Sequence, residues 1–280
     1  MLNETVGVVI PYKNNVNTLP AVLAGLNQST ICLHVYVVDD ASIISAEPLL
    51  RLGQYAEQLS ITYLLRKQSV GVSGALNTGI RQALKDGCRY IAINDADDVS
   101  YTSRFEKQRL FLEQNTQVGA VSAWAQAVNE QGAPLYQITY PAHQKLLNRF
   151  MFYNNGLVHP AVMYRAEVFA KAGLYDENIT AAVDYDMMRR IQQFYCLANI
   201  PEILLDYMIR SNSISVNNRL MQTFNRLRIQ LRYFAWGSIH AYAGIVRTLI
   251  ALLLRVQWLN RFKKWRVEKA ASLGGLIGIS

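Results

Sequence analysis

The chain has 280 residues, of which 51% are hydrophobic and 17% are charged. This length suits one large domain with or without an extension, and this composition excludes wholesale disorder. The net charge of +8 is unevenly spread, because the segment from residue 219 onward carries +10 and the chain before it carries −2. Such asymmetry is typical of proteins with an anionic partner, either nucleic acid or an anionic membrane surface.

The first residues lack a basic region followed by an apolar one, so we expect no signal peptide. The three cysteines, Cys32, Cys88 and Cys196, include no close pair and no Cys-x-x-Cys motif. We therefore predict that all three are reduced core thiols in a cytosolic protein.

Apolar β-rich runs alternate with runs of helical spacing through the first hundred residues. The predicted strands cover residues 6–10, 33–38, 61–65 and 90–93. The predicted helices cover residues 19–26, 46–59 and 72–85, and Ser73 would open the last of them. This alternation predicts a mostly parallel α/β sheet with helices on both faces, whose ligands bind where strands end.

The pattern becomes less regular beyond residue 105. Helices are predicted at 105–114, 166–172 and 184–195, and strands at 119–127, 158–165 and 203–209, with a short strand within 132–140. From residue 217 the sequence predicts two or more helices. We therefore divide the chain into a domain over residues 1–216 and a basic, amphipathic helical extension over residues 217–280.

Three carboxylates follow the predicted strand 90–93 within four residues: Asp95, Asp97 and Asp98. Carboxylates this close repel one another, so a cation or water must offset the cost. Hard oxygen ligands suit Mg²⁺ or Mn²⁺, which complete their shell with substrate phosphates. A solvated turn that caps a helix is the alternative, but the position at a strand end, with a second acidic pair in the same layer, favours a metal site.

The second acidic pair, Asp39 and Asp40, directly follows the predicted strand 33–38. A carboxylate there can accept hydrogen bonds from a nucleobase or a ribose hydroxyl; a turn residue with a helix cap is the alternative. A glycine-containing segment begins at Gly71, and its glycines permit close approach of the backbone to a ligand. This segment alone is a weak signal, because its glycine spacing is not the dinucleotide-binding fingerprint.

Several segments, taken in order, resemble family 2 glycosyltransferases with the GT-A fold, of the type that builds bacterial surface polysaccharide or lipooligosaccharide. They lie at residues 9–14, 37–42, 71–79, 94–98, 159–165, 173–176 and 183–186. The resemblance covers about residues 5–216, roughly three-quarters of the chain. It implies that the domain over residues 1–216 has the Rossmann-like GT-A fold, binds a nucleotide-sugar and carries out catalysis.

The resemblance places one group of residues at the nucleobase. Pro11 and Tyr12 would lie at the base pocket, with Tyr12 packing on uracil or another base. Asp39 looks like the carboxylate that hydrogen-bonds the base, and Asp40 like a near neighbour of that contact.

A second group would hold the rest of the donor. Asp95 is similar to the family residue that meets the ribose, and Asp97 and Asp98 resemble the end of the loop that binds Mn²⁺ or Mg²⁺. Both of these last two remain candidates for the direct ligand. Asn77 would help to order the loop beneath the nucleotide.

Asp184 matches the catalytic base of the family, which deprotonates an acceptor hydroxyl. One base opposite the leaving group gives direct displacement and inversion at the anomeric carbon. The family usually has a Glu-Asp pair here, whereas this chain has Val183 before Asp184. The alternative for Asp184 is a helix N-cap, and the two roles can coexist.

Residues 207–215 resemble the family segment in which a basic residue precedes Asn-Ser-x-Ser. The basic position falls on Arg210 or Ser211, and a cation there can reach the diphosphate of the donor. A surface arginine beside a turn is the alternative. His159 is either a donor to the acceptor sugar or a structural histidine before proline.

The apolar run at residues 239–259 is interrupted by Arg247 and Arg255. Each arginine at a bilayer centre costs roughly 2.5–3.5 kcal/mol, so we do not expect a spanning helix. Aromatic residues mixed with basic ones, including Trp258, Phe262 and Trp265, suit a helix in the headgroup layer. The alternatives are a helix packed on the domain or a homodimer contact; nucleic acid is disfavoured because no binding module surrounds the charge.

The leading hypothesis is an inverting, metal-dependent glycosyltransferase that moves a hexose or N-acetylhexosamine from a UDP-sugar onto a glycan or lipid-linked acceptor at the inner face of the cell membrane. A nucleotidyltransferase is disfavoured, because it would show a Gly-rich basic loop after the first strand. The runner-up is a non-catalytic nucleotide-binding or membrane scaffold subunit, against which the intact Asp95, Asp97, Asp98 and Asp184 argue.

Overall fold

The computed structural model describes residues 6–52, 59–210 and 219–254. The strands there are β1 (Val6–Tyr12), β2 (Leu33–Asp39), β3 (Leu59–Leu65), β4 (Tyr90–Ile93), β5 (Val99–Ser100), β6 (Val118–Val128), β7 (Pro134–Ile138), β8 (Met163–Arg165) and β9 (Cys196–Met208). The α-helices are α1 (Leu19–Asn27), α2 (Glu47–Leu52), α3 (Gly71–Lys85), α4 (Arg104–Gln114), α5 (Gln144–Phe150), α6 (Val168–Ala172), α7 (Val183–Ile191), α8 (Arg219–Arg232) and α9 (Ile239–Leu253). The strands form one sheet in the order β3-β2-β1-β4-β8-β6-β9-β5, with β7 paired to β6.

The first half of the sheet is parallel, as the sequence predicts. β3, β2, β1 and β4 run side by side in the same direction. Alternate residues of β1 enter two different cores: Val9 packs in the cluster that includes α3, and Val8 in the cluster that includes α1. Because helices cover both faces, these strands are apolar on both sides and read as continuous hydrophobic runs.

The second half mixes directions. β8 runs antiparallel to both β4 and β6, whereas β6 and β9 form a long parallel pair. The consequence is that β1, β2, β4, β6 and β9 all point the same way, so their carboxyl ends lie along one edge of the sheet.

Several predicted boundaries are wrong in this half. The predicted strand 158–165 begins with a 3-10 helix, His159–Ala161, because Pro160 lacks the N–H that a strand ladder needs. β9 begins at Cys196, before the predicted start at 203, and contains Pro201 at an irregularity in its pairing with β6. The helix predicted at 184–195 ends at Ile191.

Two predicted helices of the first half also differ from the structure. α3 begins at Gly71 after an N-cap at Val70, so Ser73 lies inside the first turn and does not open the helix. The helix predicted at 46–59 is observed as α2 up to Leu52; residues 53–58 lie outside the described ranges, and Leu59 belongs to β3.

The prediction of three core thiols is wrong in part. Cys88 is buried, but Cys32 is exposed and Cys196 is half-buried. Cys32 lies just before β2; its neighbours Ile31 and Leu33 pack in the core that includes α1, whereas Cys32 itself is exposed.

The C-terminal helices α8 and α9 pack on the body of the domain. Asn225 of α8 donates to the carbonyl oxygen of Ala181 at 3.0 Å, and Ile229 is buried in the main core. α9 approaches so closely at Gly244 that a Cβ there would lie 2.1 Å from the carbonyl oxygen of Phe152. The packing alternative of the sequence prediction therefore holds for residues 219–254.

The outer surface of α8, α9 and the turn between them exposes large apolar side chains beside arginines such as Arg228 and Arg232. Large exposed side chains include Trp236, Ile239 and Leu253, with 81%, 78% and 83% of their surface accessible. In the ranges that the structure covers, none of the helices combines the length and apolar character needed to cross a bilayer. The tail beyond residue 254, with Arg255, Trp258, Phe262 and Trp265, lies outside those ranges.

Candidate active site

The acidic loop that follows β4 is shaped by two buried polar side chains. Asn94 donates from its amide nitrogen to the carbonyl oxygens of Asp95 and Asp98, both at 2.8 Å. Arg104, which is fully buried, donates to the Asn94 side-chain oxygen at 2.9 Å and to the Ile93 carbonyl at 2.7 Å. Burial lowers the pKa of Arg104 to about 9, although Asp98 and Asp95 oppose that shift. These bonds fix the path of the loop, so its carboxylates are held in place before any ligand arrives.

Asp95, Asp97 and Asp98 bring one carboxylate oxygen each within 4.8 Å of one another. Burial raises the pKa of all three, to about 6 for Asp95, and repulsion among the carboxylates adds to the shift for Asp95 and Asp98. Asp98 Oδ1 accepts a hydrogen bond from the Met208 amide at 2.8 Å, whereas Asp98 Oδ2 is buried without a partner among the described residues.

An unpartnered, buried carboxylate oxygen is costly, and two further carboxylates beside it increase that cost. A bound divalent cation would satisfy the orphaned oxygen of Asp98 and remove the repulsion between the three side chains. The residues present therefore fit a Mn²⁺ or Mg²⁺ ion.

Arg210 lies directly at this loop. Its Nε is 3.1 Å from Asp97 Oδ2, and its Nη2 donates to Thr18 Oγ1 at 3.1 Å. Thr18 in turn donates to the carbonyl oxygen of Ala96 at 2.7 Å. The structure thus brings a cation to the position at which the resemblance expects one; Ser211, the other candidate, lies outside the described residues.

Asp39 and Asp40, by contrast, are already occupied by protein donors. Asp39 Oδ1 accepts from the Ser42 amide at 2.8 Å, and Oδ2 accepts from the Tyr63 hydroxyl at 2.5 Å. Burial and this hydrogen bond raise the pKa of Tyr63 to about 12. The base contact expected of Asp39 would therefore have to share or replace one of these two bonds.

Asp40 holds the start of α3. Its carboxylate accepts hydrogen bonds from Ser69 Oγ at 2.6 Å, from the Val70 amide at 2.7 Å and from the Gly71 amide at 3.1 Å. Burial opposes ionisation of Asp40, but these three donors prevail and its pKa lies below the ordinary value. Gly71 adopts a positive φ of 73°, which a glycine tolerates without strain.

The expectation that Tyr12 packs on the base does not fit its placement. Its ring has 1% of its surface accessible, and its hydroxyl donates to the Ile44 carbonyl at 2.9 Å. Side chains alternate along a strand, so Tyr12 points into the core while its neighbours Pro11 and Lys13 are less buried. Through this hydrogen bond, Tyr12 supports the loop around Ile44 from the core side.

Asn77 connects α3 to the segment after α6. Its amide nitrogen donates to the Tyr175 carbonyl at 2.9 Å and to Glu177 Oε1 at 2.8 Å, and its oxygen accepts from the Tyr175 amide at 2.9 Å. The Tyr175 hydroxyl lies 2.8 Å from His159 Nε2. Asn77 thus orders a loop, and it also fixes the tyrosine that contacts His159.

Asp184 lies in the first turn of α7. The N-cap of α7 is Ala182, with a φ of 59° and no side-chain cap bond, so the N-cap alternative for Asp184 is wrong. Asn155 donates to Asp184 Oδ2 at 2.7 Å. Burial is the main cause of the raised pKa of Asp95, and the negative charge of Asp184 contributes to it. The two carboxylates therefore lie within electrostatic range of each other.

The sheet explains how residues distant in sequence meet. Tyr12 is paired with Asp39 in register, so β1 and β2 end together, and β4 ends on the same side of the sheet, at Ile93 opposite Val9. Asp95, Asp97, Asp98, Asp184 and Arg210 form one group, and Pro11, Asp39, Asp40 and Gly71 form a neighbouring one along the same edge. Arg104, Asn155 and Thr18 also serve the site, but no sequence motif marks them, because their roles depend on contacts between distant segments.

An α/β sheet with a carboxylate cluster at its carboxyl edge is typical of enzymes that bind nucleotide phosphates through a metal. The model of the glycosyl transferase family 2 matches residues 7–173, more than half of the chain. The chain therefore belongs to glycosyl transferase family 2.

Curated relatives are glycosyltransferases too. An uncharacterized glycosyltransferase of Methanocaldococcus jannaschii is 28% identical over 185 residues, which cover 65% of this chain and 62% of that protein. The O-antigen biosynthesis glycosyltransferase WbnJ of Escherichia coli is 32% identical over 148 residues, covering 51% of this chain and 55% of WbnJ. The chain thus spans less than two thirds of both relatives. The amylovoran biosynthesis glycosyltransferase AmsE of Erwinia amylovora is 23% identical over 244 residues, which cover 87% of this chain and 88% of AmsE.

Solved structures share the fold. The S. aureus TarS fragment 1–349 in complex with UDP has a TM-score of 0.65 at 16% identity, over 88% of this chain and 70% of that one. The mannosyltransferase PcManGT of Pyrobaculum calidifontis, in complex with GDP-Man and Mn²⁺, has a TM-score of 0.64 at 16% identity, over 98% of this chain and 76% of that one. The expected GT-A fold with C-terminal helices is confirmed.

Proposed function

We propose that this chain is an inverting, metal-dependent glycosyltransferase that moves a sugar from a nucleotide-sugar to a hydroxyl group of a glycan or lipid-linked acceptor. The observation that carries the proposal is the orphaned Asp98 carboxylate oxygen in a three-carboxylate cluster, with a further carboxylate, Asp184, within electrostatic range of Asp95. The donor is a UDP-hexose or UDP-N-acetylhexosamine, and the product is a cell-surface polysaccharide. The names of WbnJ and AmsE, and the UDP in TarS, support this choice.

The donor lies along the carboxyl edge of the sheet. Asp97 and Asp98 hold Mn²⁺ or Mg²⁺, and Asp95 meets the ribose beside them. A metal bound there neutralises the charge of the departing diphosphate. Arg210 moves from Asp97 to a diphosphate oxygen, since a guanidinium forms stronger hydrogen bonds with an anion.

Asp184 is the general base. Its carboxylate takes the proton of the acceptor hydroxyl, whose oxygen forms the new bond to the anomeric carbon as the bond to the diphosphate breaks. The nucleoside diphosphate leaves with that electron pair, so a single displacement inverts the anomeric centre. Asn155 positions the carboxylate, because its amide donates to Oδ2, while Oδ1 accepts no hydrogen bond from the described residues.

The substitution Asp184→Asn tests this assignment. Transfer should fall by about 10²–10⁴-fold, because general-base catalysis supplies roughly that factor. Binding of the UDP-sugar in Mn²⁺, measured by calorimetry, should survive, because Asp184 does not hold the donor. A panel of nucleotide-sugars screened for metal-dependent hydrolysis supplies the donor for this assay. Full activity of the variant would show that Asp184 is not the base, and a wild-type chain without transfer or hydrolysis would favour a scaffold subunit.

We further propose that the C-terminal extension binds an anionic membrane surface on the cytoplasmic side, where lipid-linked acceptors are available. The apolar outer face of α8 and α9, together with the +10 charge from residue 219 onward, supports this location.

Flotation with anionic liposomes tests the membrane proposal. The chain should float at low salt and not at high salt, because salt screens the basic residues. The double substitution of Trp236→Ser and Ile239→Ser should weaken flotation, whereas Leu135→Ser, at an exposed leucine of β7, should not. Absence of flotation at low salt would leave packing on the domain as the sole role of these helices.

A further inference from the structure

Arg226 of α8 is turned toward the body of the domain. Its neighbour Asn225 donates to the Ala181 carbonyl at 3.0 Å, and Gln230, one turn later, donates to the Phe152 carbonyl at 2.9 Å. These two contacts bracket Arg226 on the inner face of the helix. Nevertheless, its Nε is buried and has no hydrogen-bond partner within the described ranges.

A second arginine accompanies it. Arg247 of α9 places its guanidinium carbon 6.0 Å from the centre of the Tyr153 ring. Burial lowers the pKa of Arg226, and the positive charge of Arg247 lowers it further, so the two guanidinium groups lie within electrostatic range of each other. Over residues 6–52, 59–210 and 219–254, no carboxylate lies within ion-pair distance of either arginine.

Two neighbouring cations, one with a buried and unpartnered donor, cost free energy unless an anion offsets their charge. Arginine is suited to this purpose, since its planar group offers several donors to a phosphate. The arrangement therefore resembles a prepared anion site more than a set of structural ion pairs.

The short segment 152–155 connects this arginine pair to the proposed base. Tyr153 contacts Arg247 with its ring and His240 with its hydroxyl, at 3.0 Å from Nδ1. Two residues later, Asn155 donates to Asp184. Asp184 is also among the negative charges that act on Arg226. The pair thus lies on the side of Asp184 that the C-terminal helices cover, whereas the donor phosphates are assigned to Asp97, Asp98 and Arg210.

We propose that Arg226 and Arg247 bind a phosphate or diphosphate group of the acceptor substrate. This inference rests on the proposed function, because it uses Asp184 to define the acceptor side. The acceptor is then a sugar carried on a phosphate. The apolar outer face of α9 suits a lipid chain attached to that phosphate, and a soluble sugar phosphate has the same headgroup chemistry.

The test uses inorganic pyrophosphate as a probe, titrated calorimetrically into the full chain in EDTA. Wild-type protein should bind it, and Arg226→Gln and Arg247→Gln should each weaken binding by about tenfold or more, since each removes charge-assisted hydrogen bonds. Arg228→Gln is the matched control: Arg228 is exposed, as Arg247 is, but it lies two residues from Arg226 and therefore on the opposite side of α8. Arg226→Lys keeps the charge, so it should lose less affinity for pyrophosphate than Arg226→Gln. That difference would show that the loss in Arg226→Gln is not caused by misfolding.

Arg210→Gln separates the two sides of the site. If this variant loses pyrophosphate binding while Arg226→Gln and Arg247→Gln bind like wild type, the anion lies at the donor side and the proposal is overturned. Absence of pyrophosphate binding to the wild-type chain also overturns it. Farnesyl diphosphate should bind more tightly than pyrophosphate if the acceptor is lipid-linked, and equally if it is soluble. Because the titration uses neither donor, metal nor turnover, its failure leaves the Asp184→Asn test of the proposed function unaffected.

Discussion

Two acidic clusters lie at the same edge of the sheet, and they are stabilised in opposite ways. Asp40 accepts three hydrogen bonds from the protein, which bring its pKa below the ordinary value. Asp98 accepts one at Oδ1, leaves Oδ2 without a partner in the described chain, and has a raised pKa. The first cluster is satisfied as folded, whereas the second keeps an unpartnered carboxylate oxygen on Asp98 even though Arg210 pairs with Asp97. Both clusters follow a predicted strand, so their position in the sequence does not reveal this difference in hydrogen bonding.

The largest expected effect comes from breaking the satisfied cluster. Asp40→Ala removes the acceptor of the Val70 and Gly71 amides, so the free energy of unfolding should fall by about 2–6 kcal/mol, because these two donors lose a partner at roughly 1–3 kcal/mol each. Urea denaturation of metal-free protein measures this loss. Asp40→Asn keeps one acceptor oxygen and should lose less. A change below about 0.5 kcal/mol for Asp40→Ala, the range typical of surface sites, would show that these bonds do not hold α3.

The cluster with the unpartnered oxygen should respond in the opposite direction. Because burial and neighbouring charges raise the pKa of Asp95 from 3.8 to about 6, the folded state takes up a proton that the unfolded state releases. Metal-free stability therefore falls as the pH rises from about 4 through about 6. Asp95→Asn removes this cost, so the variant should be more stable than wild type above pH 6, by about 1–3 kcal/mol, and nearly equal near pH 4.

Thermal unfolding at a series of pH values in EDTA checks this prediction. Saturating Mn²⁺ should reverse the order of stability at pH 7 and make the wild type the more stable protein. A ligand that binds only the folded state stabilises it, and Asp95→Asn has lost one carboxylate of the cluster. A variant that is less stable than wild type in EDTA at every pH would mean that Asp95 is structurally satisfied like Asp40.

The first half of the sheet was predictable because its strands are buried on both faces and bounded by clear breaks. β1, β2 and β4 therefore appear in the sequence as apolar runs, and the acidic residues that follow them fall at one edge by topology alone. The second half was less predictable: β9 continues through Pro201, and the run at 158–165 contains a 3-10 helix.

Residues whose roles depend on tertiary contacts were also beyond prediction. Arg104 looks like a surface residue of a helix, yet it is fully buried beneath the acidic loop. Tyr12 was expected to pack on the base, but the alternation along β1 turns its ring into the core. Arg226 reads as one more basic residue of the tail, and only the packing of α8 brings it toward Asp184.

The central claim is that the cluster of Asp95, Asp97 and Asp98 binds a nucleotide-sugar through a divalent metal held by Asp97 and Asp98. Titration of Mn²⁺ into the full chain in the presence of UDP, followed by electron paramagnetic resonance, tests it most directly. We expect one saturable Mn²⁺ site in the wild type. In Asp98→Asn the affinity for Mn²⁺ should fall by about 100-fold, because replacing an outer-sphere partner typically costs 10–100-fold and a direct ligand should matter at least as much. Asp206→Asn, at a carboxylate of β9 outside the cluster, should bind like wild type. Equal Mn²⁺ affinity in wild type and Asp98→Asn would contradict the account.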